Sequence, residues 1–276
     1  MLDKKDKIIE KDDHEVIHDD NEHKKDHYHE IHHFDKYGGH DDVNEDDFDF
    51  KLTLKHSSKK NLIYRISLTG TFLALAVVCT ALDELTEAVF AIPTPAGMIS
   101  LRFLDITIVT ISIALIGPVY AGGIGLVIPI IHWSIHQEHA IYNSLLECVA
   151  YCALIWYFWF LYYVIFRNSM IHKDVDKKRN LYKRFIPSIP YVLVGAAMFA
   201  ILAVIGLWLT YLTATTHNNG ADKDDNDADF ANITSFKVGF VVFLIFFGFE
   251  CLRLSITYTL FQLLDGPIKK INHRYR

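Results

Sequence analysis

Long apolar blocks alternate with polar segments along most of this chain. They cover roughly residues 63–81, 100–116, 120–136, 143–166, 187–213 and 234–264. A bilayer core about 30 Å thick needs roughly 17–25 mostly apolar residues per helix, which is the length that these blocks offer. They lack the strict alternation of apolar and polar residues that marks the strands of a membrane barrel. The pattern therefore predicts an all-α membrane protein with six transmembrane helices.

The positive charges between the blocks indicate how the helices are oriented. Seven Lys or Arg residues lie in the loop 167–186, and four more lie after residue 264. The loops 82–99 and 137–142 contain none, and the loop 214–233 contains only Lys223 among several acidic residues. Lys and Arg accumulate on the cytoplasmic side of membrane proteins. With six crossings both termini are cytoplasmic, and a bacterial plasma membrane is the simplest location.

The first 58 residues differ in composition from the rest. Residues 1–60 contain 11 Lys or Arg and 18 Asp or Glu, whereas residues 61–276 contain 16 and 15. Eight histidines fall within residues 1–50. A segment this polar buries too little apolar surface to offset the entropy lost on ordering. We therefore expect residues 1–58 to form a disordered, acidic, His-rich cytoplasmic tail. It is either a weak metal-binding tract or a dispensable low-complexity segment. Residues 59–276 then form the membrane domain.

A few ionisable residues fall inside the apolar blocks. They are Arg102 and Asp105, Glu147, and Glu250 and Arg253. Such residues are costly at membrane depth and usually mark a pathway, a site or an ion pair. The two pairs are each spaced three residues apart, which places both members on one face of a helix. Each pair is either part of a binding site or a structural ion pair that neutralises itself.

Three histidines form a second candidate site. His132, His136 and His139 recur at a spacing that places three imidazoles on one helix face. They could hold a transition metal with Glu147 or Asp105 as a further ligand, or they could form a polar cap at the water interface.

Other residues suggest contacts with ligand or protein. Trp208 and Tyr211 belong either to an interfacial aromatic belt or to a platform for a flat ligand. Gly70 and Ala74 in the first block would allow another helix to approach closely, which also suits ordinary packing within the bundle.

Several segments resemble the substrate-binding S component of energy-coupling factor (ECF) vitamin transporters. Residues 98–106 (MISLRFLDI) and 116–125 (IGPVYAGGIG) are similar to the family's second helix, Gly-Pro turn and Gly-rich third helix. The small residues of the first helix are similar to the family's docking face. The segment 249–253 (FECLR) resembles the last helix of the riboflavin-binding branch, although Glu and Arg replace the usual Asn and Lys. The resemblance covers roughly residues 62–272.

The resemblance implies a membrane subunit of an ABC importer that captures riboflavin or a similar vitamin from outside. A coupling subunit, docked on Gly70 and Ala74, and two cytoplasmic ATPases would be its partners, and the loop 82–99 would close over the ligand. No Walker A sequence is present, so we do not expect the chain to be the ATP hydrolase itself. As a binding subunit it is expected to have no enzyme activity, no cofactor and no nucleic-acid partner. The expected ligand-binding residues are Arg102, Asp105, His136, Asn143, Glu147, Trp208, Tyr211, Glu250 and Arg253.

Three alternatives stay open. The first is a transition-metal cation transporter that uses His132, His136 and His139. The second is an intramembrane enzyme, although the His-Glu-x-x-His and Gly-x-Ser-x-Gly signatures are absent. The third is a membrane anchor that displays the His-rich tail.

Overall fold

The computed structural model describes residues 9–11, 15–17, 48–55, 59–90, 92–94, 97–99, 103–135, 141–172, 177–217 and 236–274. The chain divides into two compact units, residues 1–48 and 49–276. In the first unit, strand β1 (Ile9–Lys11) pairs antiparallel with β2 (Glu15–Ile17). Most of the predicted disordered tail lies outside the described residues, so its disorder stays a prediction.

The described residues of the second unit are helical apart from one pair of short strands and short connecting segments. The strands are β3 (Ile92–Thr94) and β4 (Gly97–Ile99), which pair antiparallel with Pro93 opposite Met98. Helix α5 continues as a π-helical segment over Phe160–Ile165. The helices are α1 (Lys51–Leu54), α2 (Lys59–Phe90), α3 (Leu104–Ile116), α4 (Pro118–Ile135), α5 (Ile141–Trp159), α6 (Lys177–Phe185), α7 (Ser188–His217) and α8 (Phe236–Arg274).

The prediction of a multi-pass helical membrane protein is confirmed. Among the described residues, five helical segments are long and apolar enough to cross a membrane: Asn61–Asp83, Pro118–Ile135, Ile141–Ile165, Lys178–Leu209 and Gly239–Asn272. The expected second span corresponds to α3, which has only 13 residues. At 1.5 Å per residue it is about 20 Å long, less than the bilayer core. The sixth crossing and the orientation stay predictions.

Helix α3 forms the centre of the bundle. It lies against α2, α4, α5 and α8, and eleven of its 13 residues are buried. Its apolar residues are spread around the whole helix, which is typical of a helix that is covered on all sides. The surrounding helices instead expose large apolar side chains such as Val78, Val149 and Leu252, as lipid-facing helices do. The core therefore lies between α3 and its neighbours.

The stretch 82–99 differs from the expected loop. Helix α2 continues to Phe90 instead of ending near residue 81, and the β3–β4 pair follows it. The turn between α3 and α4 matches the expected Gly-Pro turn. Gly117 has a φ of 83°, a left-handed conformation that glycine adopts without steric cost. It ends α3 and allows α4 to begin at Pro118, a residue that is favoured in the first turn of a helix.

Candidate functional site

The N-terminus of α3 lies inside the bundle and is capped by another helix. Helices α3 and α4 meet at Gly117, and α3 is five residues, or about 7 Å, shorter than α4. Asp83 of α2 is 1% exposed, and its carboxylate accepts hydrogen bonds from the backbone N–H groups of Phe103 (3.2 Å), Leu104 (3.0 Å) and Asp105 (3.0 Å). Such amides have no partner within their own helix, and the helix dipole favours a negative charge beside them.

The Asp105 carboxylate joins α3 to α5. The residue is fully buried, and its Oδ1 accepts a hydrogen bond from the N–H of Ile106 at 2.6 Å. Its Oδ2 accepts one from the Tyr151 hydroxyl at 2.8 Å. Two residues further along α3, the Thr107 hydroxyl contacts α8, with its oxygen 3.0 Å from that of Thr257. Asp105 is therefore fixed by hydrogen bonds on both carboxylate oxygens.

Glu250 and Arg253 of α8 form the ion pair that their spacing predicts. Arg253 Nη2 and Nε lie 2.8 Å and 2.9 Å from Glu250 Oε2. The Arg253 guanidinium carbon lies 4.7 Å from the centroid of the Phe199 ring, which is a cation–π geometry. Phe199 of α7 in turn packs edge-to-face on Tyr151, with ring centroids 5.8 Å apart.

These contacts define one cluster that links α3, α5, α7 and α8. We call it the central polar cluster; its members are Asp105, Tyr151, Phe199, Glu250 and Arg253. The cluster brings together three of the predicted site residues, Asp105, Glu250 and Arg253.

A polar face of α5 leads toward this cluster. Asn143, Glu147 and Tyr151 are spaced four residues apart and therefore lie on one side of the helix. Asn143 Oδ1 is buried and has no hydrogen-bond partner within the part of the chain that the structure describes. Opposite it, a Cβ atom at Gly206 of α7 would lie 2.7 Å from Asn143 Oδ1, so the missing side chain permits this close approach.

The charges of this region are mostly negative. Among the described residues it contains the carboxylates Asp83, Asp105, Glu147 and Glu250, and the guanidinium of Arg253. Arg102, which lies outside the described residues, precedes α3 by two positions and would still leave the acids in excess. Ionised carboxylates only accept hydrogen bonds. The arrangement therefore suits ligand groups that donate hydrogen bonds or carry positive charge.

Among the other predicted site residues, several lie outside the part of the chain that the structure describes. Arg102, His136 and His139 lie outside the described residues, as does the side chain of Tyr211. Trp208 is 55% exposed on α7, unlike the buried members of the cluster. His132 is buried on α4, but the described residues contain no group of three or more His, Cys, Asp or Glu that could hold a metal. The three-histidine metal site therefore stays a prediction.

Gly70 and Ala74, the predicted docking residues, both lie on an exposed part of α2. A Cβ atom at Gly70 would meet no atom within 4 Å. This side of α2 is therefore accessible to another helix or to lipid.

Three residues of the region were missed by sequence reasoning. Asp83 was assigned to a loop because the first apolar block ends at residue 81. Tyr151 has a signal in the sequence, since it continues the four-residue spacing of Asn143 and Glu147. Phe199 has none, because an aromatic residue in an apolar helix looks like any other core residue.

Comparison with known proteins adds one relative. A protein of Mycoplasma genitalium described as "Uncharacterized protein MG147" is 29% identical to this chain over 133 residues. The match covers 47% of this chain, and the chain spans only 34% of that protein's length. No protein-family model and no solved structure matches the chain.

Proposed function

We propose that the chain is the membrane-embedded substrate-binding subunit of an ECF-type importer. It crosses a bacterial plasma membrane six times, with α3 as the short second crossing and both termini in the cytosol. It captures a vitamin-like small molecule from outside, and a coupling subunit with two ATPases drives its delivery. The observation that carries this proposal is the central polar cluster, which is buried between four helices of an otherwise apolar bundle.

A role in ligand binding would explain why the bundle buries charged groups, which its packing does not need. Burying an ion pair costs desolvation energy, and well-packed apolar residues of similar volume are often as stable or more stable. Ionisable residues inside a membrane bundle accordingly tend to serve substrate or ion recognition. Here the Glu250–Arg253 pair is accompanied by the Asp105 carboxylate, so the cluster contains more acidic than basic groups.

The chemistry of the cluster suggests the ligand's character. The cluster contains the aromatic rings of Phe199 and Tyr151 and carboxylates that accept hydrogen bonds. This chemistry would suit a flat molecule with ring N–H groups and hydroxyls, such as riboflavin, or a cationic vitamin such as thiamine. An anionic vitamin such as biotin is disfavoured because the acids outnumber the guanidinium groups.

Ligand-dependent thermal stability tests this proposal. The purified full chain is unfolded in detergent with riboflavin, thiamine, biotin, or Zn²⁺, Ni²⁺ or Co²⁺. A ligand at 100 times its Kd stabilises a protein by about 2.7 kcal/mol, so riboflavin or thiamine should raise the Tm by several degrees. Mass spectrometry of the denatured protein should identify the same molecule as a co-purifying ligand.

Arg253→Ala leaves the Glu250 carboxylate without its ion-pair partner and removes the guanidinium from the Phe199 ring, so it should disturb the cluster and weaken stabilisation by riboflavin at least tenfold in ligand concentration, which corresponds to about 1.4 kcal/mol. Ser255→Ala is the matched control, since Ser255 is exposed two residues further along α8 and bonds only to its own helix. Stabilisation by the metals alone would favour the cation transporter. An Arg253→Ala variant with unchanged ligand response would remove the cluster from the binding site.

A further inference from the structure

Residues 50–54 dock on the bundle beside the turn between α3 and α4. They include α1, a helix of only four residues that precedes α2. A helix of four residues is not stable on its own in water, and α1 therefore depends on its contacts with the rest of the bundle. Phe50 and Leu54 remain 37% and 39% exposed, and the buried residue of the segment is Thr53.

Arg65 of α2 holds the carboxyl end of α1. Its side chain is 7% exposed, and Nη1 donates to the carbonyl oxygen of Thr53 at 3.0 Å while Nη2 donates to that of Leu52 at 3.4 Å. The last carbonyls of a helix lack partners within the helix and carry partial negative charge, so a cation is favourable there.

Trp159 and Gly117 complete the docking surface. The Trp159 indole N–H donates to Thr53 Oγ1 at 2.6 Å, and the same hydroxyl donates to the carbonyl of Phe50 at 2.6 Å. The Phe50 ring packs edge-to-face on Trp159, with centroids 6.1 Å apart. A Cβ atom at Gly117 would lie 2.7 Å from the Thr53 carbonyl oxygen, so only glycine leaves room for α1 at this turn.

We propose that residues 50–54 act as a reversible strap that joins α2, the α3–α4 turn and α5 at this end of the bundle. Its polar contacts with the bundle converge on Thr53 and Leu52, so it can open locally without unfolding the core. This proposal is independent of the transporter assignment.

Limited trypsin digestion of the detergent-solubilised full chain tests the strap. Lys51 and Lys55 are exposed, but a protease needs an extended segment, so cleavage there reports the released form. Gly117→Ala places a methyl group against the Thr53 carbonyl and strains a left-handed residue, so it should release the strap. Gly123→Ala is the matched control, because a Cβ atom there meets nothing within 4 Å.

Gly117→Ala should speed cleavage at Lys51 and Lys55 about tenfold or more, since cleavage follows the population of the open form. Cleavage at Lys178 and Arg179, which are exposed on α6, should be unchanged. Trp159→Phe removes the indole donor without backbone strain and should act in the same direction. Unchanged cleavage in both variants would overturn the proposal. Equal acceleration at Lys178 and Arg179 would also overturn it, because the segment would then unfold only with the core.

Discussion

Asp83→Ala should destabilise the bundle strongly, because it removes the cap of a buried helix end. The carboxylate accepts hydrogen bonds from three backbone N–H groups of α3 or its cap. A hydrogen bond to a charged group contributes about 1.5–3 kcal/mol, and losing an N-cap costs about 1–2 kcal/mol. Since the carboxylate no longer has to be desolvated in the variant, the net loss is smaller than the sum. We expect about 3 kcal/mol.

Thermal unfolding of the full chain in detergent measures this loss. For a protein of 150–250 residues, 1 kcal/mol corresponds to roughly 2–4 °C, so the Tm should fall by roughly 6–12 °C. Asp83→Asn keeps one acceptor oxygen but no charge, and its Tm should lie between those of wild type and Asp83→Ala. Ser134→Ala is the control, because Ser134 is exposed and bonds only to Ile130 of its own helix.

Two outcomes would refute this reasoning. An Asp83→Ala variant that unfolds at the Tm of Ser134→Ala would show that water or another group satisfies the N-terminus of α3. An Asp83→Asn variant as stable as wild type would show that the charge contributes nothing, contrary to the helix-dipole argument.

Three further predictions concern other parts of the chain. Asp265→Ala removes the carboxylate that lies 3.0 Å from Lys269 Nζ and 3.8 Å from Arg184 Nε, and should lower the free energy of unfolding by about 3 kcal/mol, measured by thermal unfolding. Adding Lys269→Met should restore part of this stability, because it removes the buried cation that lost its partner. If no stability is recovered, the cause is not electrostatic. Gly70→Leu or Ala74→Leu should reduce co-purification of a coupling subunit yet preserve ligand-induced stabilisation; equal loss of both would indicate misfolding. Protease added to intact cells should cleave 214–233 and spare 167–186, whereas the reverse pattern would refute the proposed topology.

The sequence predicted the existence of the membrane helices better than their ends. Apolar length depends only on local composition, so the spans were found. Their ends depend on contacts between distant residues. Asp83 accepts hydrogen bonds from the N–H groups of residues 103–105, about twenty positions away, and α3 begins beside it at Leu104. The β3–β4 pair was likewise missed, because Pro93 and Pro95 in an apolar stretch favour a loop assignment.

The candidate site was predicted only where one helix supplies both partners. Glu250 and Arg253 pair because a spacing of three residues places them on one face, a rule that needs no tertiary structure. Their contact with Phe199, and that of Asp105 with Tyr151, depend on how α3, α5, α7 and α8 pack. Trp208 was predicted to contact the ligand but is exposed on α7, because an aromatic residue near the end of a span carries no information about which side of the helix it faces.

The contacts of α3 bear on how a ligand would be recognised. Asp83 holds its N-terminus, the Thr107–Thr257 hydroxyl contact holds its side against α8, and Asn272 Nδ2 donates to the carbonyl of Ala114 near its C-terminus at 2.6 Å. Asp105 on α3 and the Glu250–Arg253 pair on α8 are therefore kept at a fixed separation. Because these groups are already held in place, little further conformational entropy would be lost when a ligand binds. Under the proposed function, closure over the ligand would then come from the segment between α2 and α3 rather than from rearrangement of the central polar cluster.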